Sequence, residues 1–372
     1  MRWLLPLALG AALLAGSPVP SAQSVLRQTL QATQPEFFDL LGVTVTLGEG
    51  SDGVLRALVG AIGDGPGSPS SGAVHVFRLD PDSVWRHEAE LAPSDPDLQM
   101  DFGRSVAYLA DPIRGDLALV GAPLWHTNDL GKAYFFRRHP ATGAWAEEFS
   151  FREFPVNSSQ QLGSAAALCA LPGGAPGEAL AAIGARGDDD AGGFEGAVYV
   201  FRYDADSTAW VREAKLLPPG PPEGGAQGDD LGRSAALLPL PGGAPGEVLL
   251  LGGAPNFRSG PQTEHNREGA AYVWRRDGAT GAWAYETRLT ATPLQRSADF
   301  GWSAGLLALP GGAPGEALAV VGAFGTSDPL PPDPTGNRRG ALFAFRRVPG
   351  PGGSATWVQE ARLMGEPRTP EE

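Results

Sequence analysis

The chain is poor in cysteine and in long hydrophobic segments, and its charge is mainly of one sign. Of its 372 residues only Cys169 is a cysteine, so no intramolecular disulfide forms and stability must come from apolar burial. Beyond a short leader, no segment approaches the ~20 apolar residues that a membrane-spanning helix requires. The 28 basic residues are outnumbered by 42 acidic ones, and the formal net charge is −14. This charge argues against nucleic acid or an anionic membrane as a partner.

Motifs for metal binding are scarce as well. The histidines include no pair, and no combination with cysteine, at the spacing of a zinc motif, so the sequence predicts no zinc site. Acidic residues cluster at Asp188, Asp189 and Asp190, and again at Asp229–Asp230. The first cluster is a weak candidate for a metal site, and we expect both clusters to be solvated loop charges. The five histidines are His75, His87, His126, His139 and His265.

The first 22 residues have the composition of an export signal. Arg2 is followed by the apolar run LLPLALGAALLAG and then by small residues, which is the order of a secretory signal peptide. An ordinary buried first helix is the other interpretation. We expect residues 1–22 to be cleaved, residues 23–372 to form a single domain, and the protein to be secreted, periplasmic or held at the cell surface.

Five copies of one pattern fill the rest of the chain. Each begins with Phe-Gly or Leu-Gly, as at Phe102-Gly103, and continues with a Gly-Ala or Gly-Ala-Pro turn. A glycine-led aromatic segment follows, such as GAVYVF from Gly196, and then a tryptophan such as Trp210. The copies span about residues 40–92, 101–152, 161–217, 230–290 and 299–364.

Each copy predicts four β-strands. In GAVYVF, Ala197, Tyr199 and Phe201 alternate with Val198 and Val200, so both faces of the strand are apolar. A sheet with two apolar faces must be covered on both sides. Small sheets that pack face to face around an axis meet this requirement. We therefore predict an all-β fold, a β-propeller of about five four-stranded blades. An array of β-sandwiches is the other arrangement compatible with the pattern.

The repeated Phe-Gly-x-Ser, Gly-Ala-Pro and GAYVF-like motifs resemble the FG-GAP repeats of the integrin α-subunit N-terminal β-propeller and of secreted bacterial proteins. The resemblance covers about residues 26–363. It implies a β-propeller, usually of seven blades, that serves adhesion and ligand binding. The family's calcium loop, Asp-x-Asp-x-Asp-Gly, is missing, because the corresponding segments read LADPIRGDL or LPGGAPGE. We therefore expect no cofactor, and calcium only if other carboxylates bind it.

One strand-like segment stands outside the five copies. Leu26–Ala32, LRQTLQA, repeats the fourth-strand pattern, although the fifth copy already has a fourth strand from Trp357. The open edges of a first and last blade invite association with other chains unless they meet. We predict that this segment pairs with the Gly340–Phe345 strand or with its neighbour from Trp357, and so closes the ring. The alternative is a surplus strand on an edge.

Two tryptophans fall outside the repeated positions. Trp125 lies with His126 in a loop after a Gly-Ala-Pro turn, and Trp302 takes the variable place of a Phe-Gly-x-Ser motif. Loops before the first strand and after the second open on the same face, and aromatic side chains on loops are typical of recognition surfaces. We therefore predict a ligand-binding rim there, with local packing as the other interpretation. Its candidate residues are Arg104, Trp125, His126, Asp230, Arg233 and Trp302.

The predicted function is that of a secreted, non-catalytic propeller that binds a protein or glycan partner through this loop face. We expect a monomer without a membrane span. His75 takes the place of an aromatic residue in the other copies, so we expect it to be a core residue and no metal ligand. The alternative is an enzyme, a hydrolase or lyase with its site in the axial funnel, because propellers host many chemistries. A structural part of an envelope assembly is a third hypothesis.

Overall fold

The computed structural model describes most of the chain after the leader. The predicted signal peptide, residues 1–22, lies outside the described ranges. Within those ranges, no helix has the length and apolarity that crossing a membrane would require. The described residues are 28–32, 38–65, 70–126, 129–153, 159–189, 195–219, 228–258, 267–293, 298–326 and 340–364.

The described residues form β-strands and one short 3-10 turn, Pro351–Gly353. The strands of the first two blades are β1 Leu41–Glu49, β2 Leu55–Ala61, β3 Ala73–Leu79, β4 Trp85–Leu91, β5 Ser105–Leu109, β6 Leu117–Ala122, β7 Lys132–Arg138 and β8 Trp145–Phe151. The strands of the third and fourth blades are β9 Leu162–Ala170, β10 Ala179–Ala185, β11 Ala197–Asp204, β12 Ala209–Leu216, β13 Ser234–Pro239, β14 Val248–Ala254, β15 Ala270–Arg276 and β16 Trp283–Leu289. The strands of the fifth blade are β17 Phe300–Ala308, β18 Ala317–Ala323, β19 Ala341–Pro349 and β20 Ala355–Met364.

These strands form five antiparallel sheets of four strands, each with its strands in chain order. The predicted fold, a β-propeller of five four-stranded blades, is confirmed. The apolar alternation of GAVYVF explains why the blades stack. Val198 and Val200 of the third blade pack against Leu250 and Tyr272 of the fourth, while Tyr199 packs in the cluster shared with the second blade. We call the face of a blade that meets the next blade its trailing face, and the opposite one its leading face.

The Phe-Gly or Leu-Gly motif forms the turn that enters the first strand of each blade. In the fourth blade, Asp230 has a φ of 58° and Gly232 a φ of 92°. A positive φ is costly for most residues, is better tolerated by aspartate, and is free of steric cost for glycine. The residue at the position of Asp230 has a positive φ in every blade, at Leu40, Asp101, Gln161, Asp230 and Asp299.

Neighbouring blades contact each other closely at these turns. A Cβ on Gly60 of β2 would lie 2.2 Å from the carbonyl oxygen of Gly103 in the next blade, so only glycine permits the approach. The hydroxyl group of Thr44 donates a hydrogen bond to the same oxygen, at 2.8 Å. Such a bond recurs at the following junctions, from Ser105 to Gly163, from Ser164 to Gly232 and from Ser234 to Gly301.

A glutamate in the fourth strand links each junction at the other end of the blades. Glu213 accepts hydrogen bonds from Trp283 Nε1 and from Arg276 Nε of the next blade, both at 2.8 Å. Because the Arg276 side chain is only 7% exposed, this pair is shielded from water and interacts more strongly than a surface pair. The same arrangement at the following junction uses Glu286, Trp357 and Arg347.

The first and fifth blades make no comparable junction within the described structure. A Cβ on Gly42 would have no atom within 4 Å, in contrast to the equivalent glycines of the later blades. Ser303, at the position of Ser234, is exposed. The described blades therefore form an open arc. The trailing face of the fifth blade exposes large apolar side chains, at Leu307, Leu342, Val358 and Leu363.

The predicted ring closure by the N-terminal segment is wrong. Gln28 Nε2 donates to the Trp85 carbonyl at 2.7 Å, and the Trp85 amide donates to Gln28 Oε1 at 2.8 Å. Leu30 packs against the first-blade cluster that contains Ala57 and Phe77. The segment therefore covers the leading face of the first blade. The described part of the segment, residues 28–32, thus contacts the first blade, and β19 is paired along its length by β18 and β20.

Candidate functional site

The loops at one end of the arc bring arginines from three blades together. We call this end, made of the turns before each first strand and the loops after each second strand, the mouth. Arg104, Arg186 and Arg233 come from the second, third and fourth blades. Burial, together with repulsion from Arg104 and Arg186, lowers the pKa of Arg233 to about 10. The mouth therefore concentrates positive charge in a chain whose net charge is −14.

Asp230 is a carboxylate within this arginine cluster. Burial raises its pKa to about 6, although attraction from Arg186 and Arg233 works in the opposite direction. Asn256 Nδ2 donates to Asp230 Oδ2 at 2.6 Å, and Arg267 Nη1 donates to Asn256 Oδ1 at 3.4 Å. The effect of burial on the pKa of Asp230 thus outweighs the attraction of the arginines. The carboxylate is held at the mouth by a side-chain amide.

Two further aspartates lie beside the arginines of the second and third blades. Burial raises the pKa of Asp101, attraction to Arg104 and Arg186 lowers it, and repulsion from Asp129 adds to the rise. Arg186 Nε donates to Gln161 Oε1 of its own blade. The mouth is therefore a mixed set of arginines and partly buried carboxylates, each held by neighbours from its own or the adjacent blade.

An exposed aromatic pair borders the arginines on the fifth blade. The rings of Trp302 and Phe324 lie 5.0 Å apart, and the two side chains are 40% and 51% exposed. The guanidinium carbon of Arg233 lies 4.1 Å from the centre of the Trp302 ring. A cleft of about 380 Å³ adjoins this pair and is also lined by Leu342 and Leu363. We call Trp302 and Phe324 the aromatic platform.

Two of the predicted rim residues do not belong to this surface in the way the sequence suggested. Trp125 is only 7% exposed and packs with Met100, Phe102 and Tyr134 in the core shared by the first two blades. The prediction of a rim tryptophan is wrong at this position, because the residue takes the core place that Phe257 takes in the fourth blade. His126 is exposed, but its ring lies 5.2 Å from that of the buried Trp125.

The acidic clusters are not the solvated charges that the sequence predicted. Asp188 is 1% exposed and accepts hydrogen bonds from Tyr199 Oη and Lys215 Nζ, both at 2.8 Å. Asp229 is fully buried beside Tyr272. Both carboxylates are buried for the same reason, because each accepts a hydrogen bond from the hydroxyl group of a core tyrosine. Asp189 is partly exposed, and Asp190 lies outside the described residues.

His75 and His87, which the sequence treats as isolated, are neighbours. His75 Nδ1 and His87 Nε2 lie 3.2 Å apart, and Asp64 Oδ2 lies 3.0 Å from His75 Nε2. Burial lowers the pKa of His87, repulsion from His75 lowers it further, and Glu90 raises it. His75 is fully buried, so its predicted core position is confirmed. The group is built on the first blade, whereas the arginine cluster is built on the second to fourth.

Sequence reasoning missed several residues of the mouth, among them Arg186, Asn256 and Phe324. Arg186 and Phe324 follow the repeated Gly-Ala of a second strand by one position, and Asn256 follows it by two. Their position directly after the repeated motif is the signal that places them at one end of the arc. None of the three belongs to a familiar motif of its own.

Comparison with known families supports the repeat assignment. The FG-GAP repeat family matches residues 85–136, so this part of the chain is an FG-GAP repeat. The match begins at Trp85 in β4 and ends at Phe136 in β7. The sequence repeat is therefore offset by one strand from the structural blade. No curated protein matches the chain significantly.

Proposed function

We propose that this FG-GAP repeat protein is a non-catalytic binding module that holds a protein or glycan partner through its mouth. The observation that carries the proposal is the convergence of Arg104, Arg186 and Arg233 next to the exposed aromatic platform. Arginine and tryptophan are the residues that most often dominate binding energy at interfaces. The arginines lie on turns and loops, whereas Trp302 lies near the start of β17, so rigid strands hold both kinds of residue in place.

The electrostatics favour a partner with acidic groups. The depressed pKa of Arg233 reflects burial and nearby arginines that Asp230 only partly offsets. Within the described structure, Arg233 Nε and Arg258 Nε are buried without a hydrogen-bond acceptor. A carboxylate or sulfate of a partner supplies acceptors in the paired geometry that guanidinium groups recognise. An anionic group bound here offsets both the repulsion and the missing hydrogen bonds.

The aromatic platform gives such a partner an apolar contact. Trp302 and Phe324 present ring faces beside the cleft of about 380 Å³. Aromatic faces pack against sugar rings and against apolar side chains alike, and contribute large contact areas at low conformational cost. An acidic glycan and an acidic peptide segment both match this combination of arginines and rings.

One observation favours the alternative, an enzyme. Asp230 has a raised pKa of about 6 at the mouth, which is typical of a general acid or base. The charged groups that bear on it are arginines, however, and an acid–base reaction needs a second proton-transfer group on the same substrate. Residues 301–305 spell G-x-S-x-G, but they lie along β17 and not in a strand-to-helix turn. Binding is therefore the better-supported function.

The leader supports an extracellular place of action. Residues 1–22 have the order of a signal peptide, and the described structure depends on no disulfide. We propose that the protein is exported and acts outside the cytoplasm. Mass spectrometry of the protein recovered from the medium or cell envelope tests this step. A chain that retains Met1 and stays in the cytosol would contradict it.

The binding function is tested with arrays of glycans and peptides that differ in charge. The mature chain is expected to retain acidic glycans or acidic peptides and to ignore neutral ones, with affinity that falls as salt rises. Arg233→Ala and Trp302→Ala are each expected to weaken binding by at least ~10-fold. Arg212→Ala is the matched control, because Arg212 is 48% exposed on β12. Equal binding by all four proteins would contradict the proposal.

A further inference from the structure

The first blade carries a group of two imidazoles and two carboxylates. Asp64 follows β2, His75 lies in β3, and His87 and Glu90 lie in β4. His75 pairs directly with Glu90, and His87 pairs with the residue two places after His75, because β4 has a bulge between these two pairs. Without the bulge, His87 and Glu90 would point to opposite faces of the sheet. The bulge therefore places His75, His87 and Glu90 together on the leading face.

The distances within this group suit the ligands of a single small cation. His75 Nδ1 lies 3.2 Å from His87 Nε2 and 3.9 Å from Glu90 Oε2. Ligand atoms at Zn–N and Zn–O distances of ~2.0–2.2 Å in a tetrahedron lie roughly 3.3–3.6 Å from one another. Asp64, His75 and Glu90 each offer an atom within 4.8 Å of the others. The two imidazole nitrogens are thus already close to this spacing, and the partly exposed Glu90 carboxylate must move closer to complete the set of ligands.

Asp64 is placed to orient the buried histidine. Its Oδ2 lies 3.0 Å from His75 Nε2, so it accepts the proton of the tautomer that leaves Nδ1 as a lone-pair donor. A carboxylate on the far nitrogen of a ligand histidine is the usual way in which proteins fix the tautomer and raise ligand basicity. His75 Nδ1 then faces His87 and Glu90 with its lone pair available.

The third blade shows what occupies the equivalent place when no ion is needed. There Asp188 bonds to Tyr199 Oη and to Lys215 Nζ, each at 2.8 Å. By register, Tyr199 corresponds to His75 and Lys215 corresponds to Glu90. The third blade thus supplies an ammonium group from its own chain. The first blade replaces that ammonium with a carboxylate and the tyrosine with an imidazole, which converts the pocket from one that contains a cation into one that offers ligands.

The group is reachable from solvent. The His75 side chain is fully buried, but those of Asp64 and Glu90 are 16% and 30% exposed. The first blade also has no preceding blade packed on its leading face in the described structure, where only the segment at Gln28–Ala32 covers part of it. An ion can therefore enter from the side of Glu90 and keep a water molecule as a further ligand.

We propose that Asp64, His75, His87 and Glu90 form a binding site for a divalent transition-metal ion of the zinc class. His75 Nδ1, His87 Nε2 and Glu90 are the ligands, and Asp64 is the positioning residue on His75 Nε2. Two imidazoles and a carboxylate suit Zn²⁺, whereas Ca²⁺ and Mg²⁺ prefer all-oxygen shells. Because the ion joins β3 to β4, and Asp64 links His75 to the loop after β2, ion binding stabilises the first blade at the end of the arc.

The test is a calorimetric titration of the tag-free mature chain with ZnCl2, with CaCl2 and MgCl2 as comparison ions. One Zn²⁺ per chain is expected to bind, with a rise in melting temperature, while Ca²⁺ and Mg²⁺ give neither effect. His75→Tyr and His87→Gln carry the residues that the third and fifth blades have at these positions, so both are expected to fold. Each is expected to bind Zn²⁺ at least ~100-fold more weakly, and Asp64→Asn ~10–100-fold more weakly.

His139→Gln is the matched control, because His139 is exposed in the β7–β8 hairpin and lies apart from the group. It is expected to bind Zn²⁺ like the parent chain. The proposal is overturned if the parent chain binds no Zn²⁺. It is equally overturned if His75→Tyr and His87→Gln bind the ion as well as His139→Gln does, since that result would place the ion elsewhere.

Discussion

At the scale of single residues, Asp230 links the charge of the mouth to stability. Its pKa is raised from 3.8 to about 6 because burial penalises the carboxylate. A carboxyl group with a raised folded pKa favours folding below its unfolded pKa, and this contribution is lost as the pH rises through the folded pKa. Between about pH 4 and pH 6 the free energy of unfolding is therefore expected to fall because of this group.

Replacing Asp230 by Asn is expected to stabilise the fold at neutral pH. The amide keeps a polar contact with Asn256 and removes the buried charge. The expected gain is about 1–2 kcal/mol at pH 7.5 and close to zero below pH 4, after allowance for solvent screening. Urea unfolding at both pH values measures it, with the exposed Asp82→Asn as control. A loss of stability at pH 7.5 would mean that the arginines outweigh burial at this site.

Trp125 and Trp210 are expected to contribute similarly to stability, since each side chain is 7% exposed. Truncation of either to Ala should lower the free energy of unfolding by ~3–5 kcal/mol, because each leaves a cavity in a junction between blades. Trp302→Ala, at a site 40% exposed, should cost under about 1 kcal/mol. Thermal or urea unfolding of the three variants checks the order. A small loss of stability for Trp125→Ala would mean that Trp125 is an exposed rim residue after all.

The positions of single residues were predictable where the repeat itself determines them and not elsewhere. The core place of His75 follows from its alignment with Tyr199, and Trp302 follows from its place in a turn motif. Trp125 was misassigned because its core place is set by an offset after the Gly-Ala turn that Phe257 shares, where the other copies carry unlike residues. The contact between His75 and His87 depends on a bulge in β4, which no periodicity reports.

At the scale of elements, the hydroxyl group after each Phe-Gly turn is the most direct link between blades. Ser105 donates to the Gly163 carbonyl of the next blade at 2.8 Å, and this serine is 8% exposed. Ser105→Ala leaves that carbonyl without its donor and is expected to cost ~1–3 kcal/mol. Ser303 holds the same place in the fifth blade but is exposed, so Ser303→Ala should cost under about 0.5 kcal/mol.

Chemical unfolding of these two variants compares one position in two contexts. Equal losses of stability in the two variants would show that Ser303 also bonds to a following blade, which would contradict an open fifth junction.

The strands and their order were predictable, because alternation and the spacing of turns repeat five times. The position of the N-terminal segment was not, because a fourth-strand pattern fits either end of the arc and only the Gln28–Trp85 bonds decide between them.

At the scale of the whole molecule, the open arc predicts unequal tolerance to charge. Val198 in the third blade and Leu342 in the fifth take the same position on the trailing face, but Val198 is fully buried and Leu342 is 37% exposed. Val198→Lys places an unpaired charge in a blade junction and is expected to cost at least ~4 kcal/mol or to prevent folding. Leu342→Lys is expected to cost under about 1 kcal/mol.

Circular dichroism and melting temperatures of these two lysine variants measure the contrast. Similar destabilisation at both positions would mean that the fifth blade is covered in solution, and that the arc is closed by residues beyond those described.

The number of blades was predictable from the repeat count. The open junction was not, since the sequence of the fifth blade keeps the apolar trailing face that a further blade would cover.

The mouth is the functional end of the arc in this account, so the most direct test locates a bound ligand. Amide hydrogen exchange is measured on the mature chain with and without an acidic glycan or peptide that the arrays retain. Protection is expected at the turns around Asp101–Arg104, Asp230–Arg233 and Asp299–Trp302, and in the loop after β18. Protection confined to the LPGGAPGE hairpins at the opposite end, or to the exposed face of the fifth blade, would contradict the proposed function.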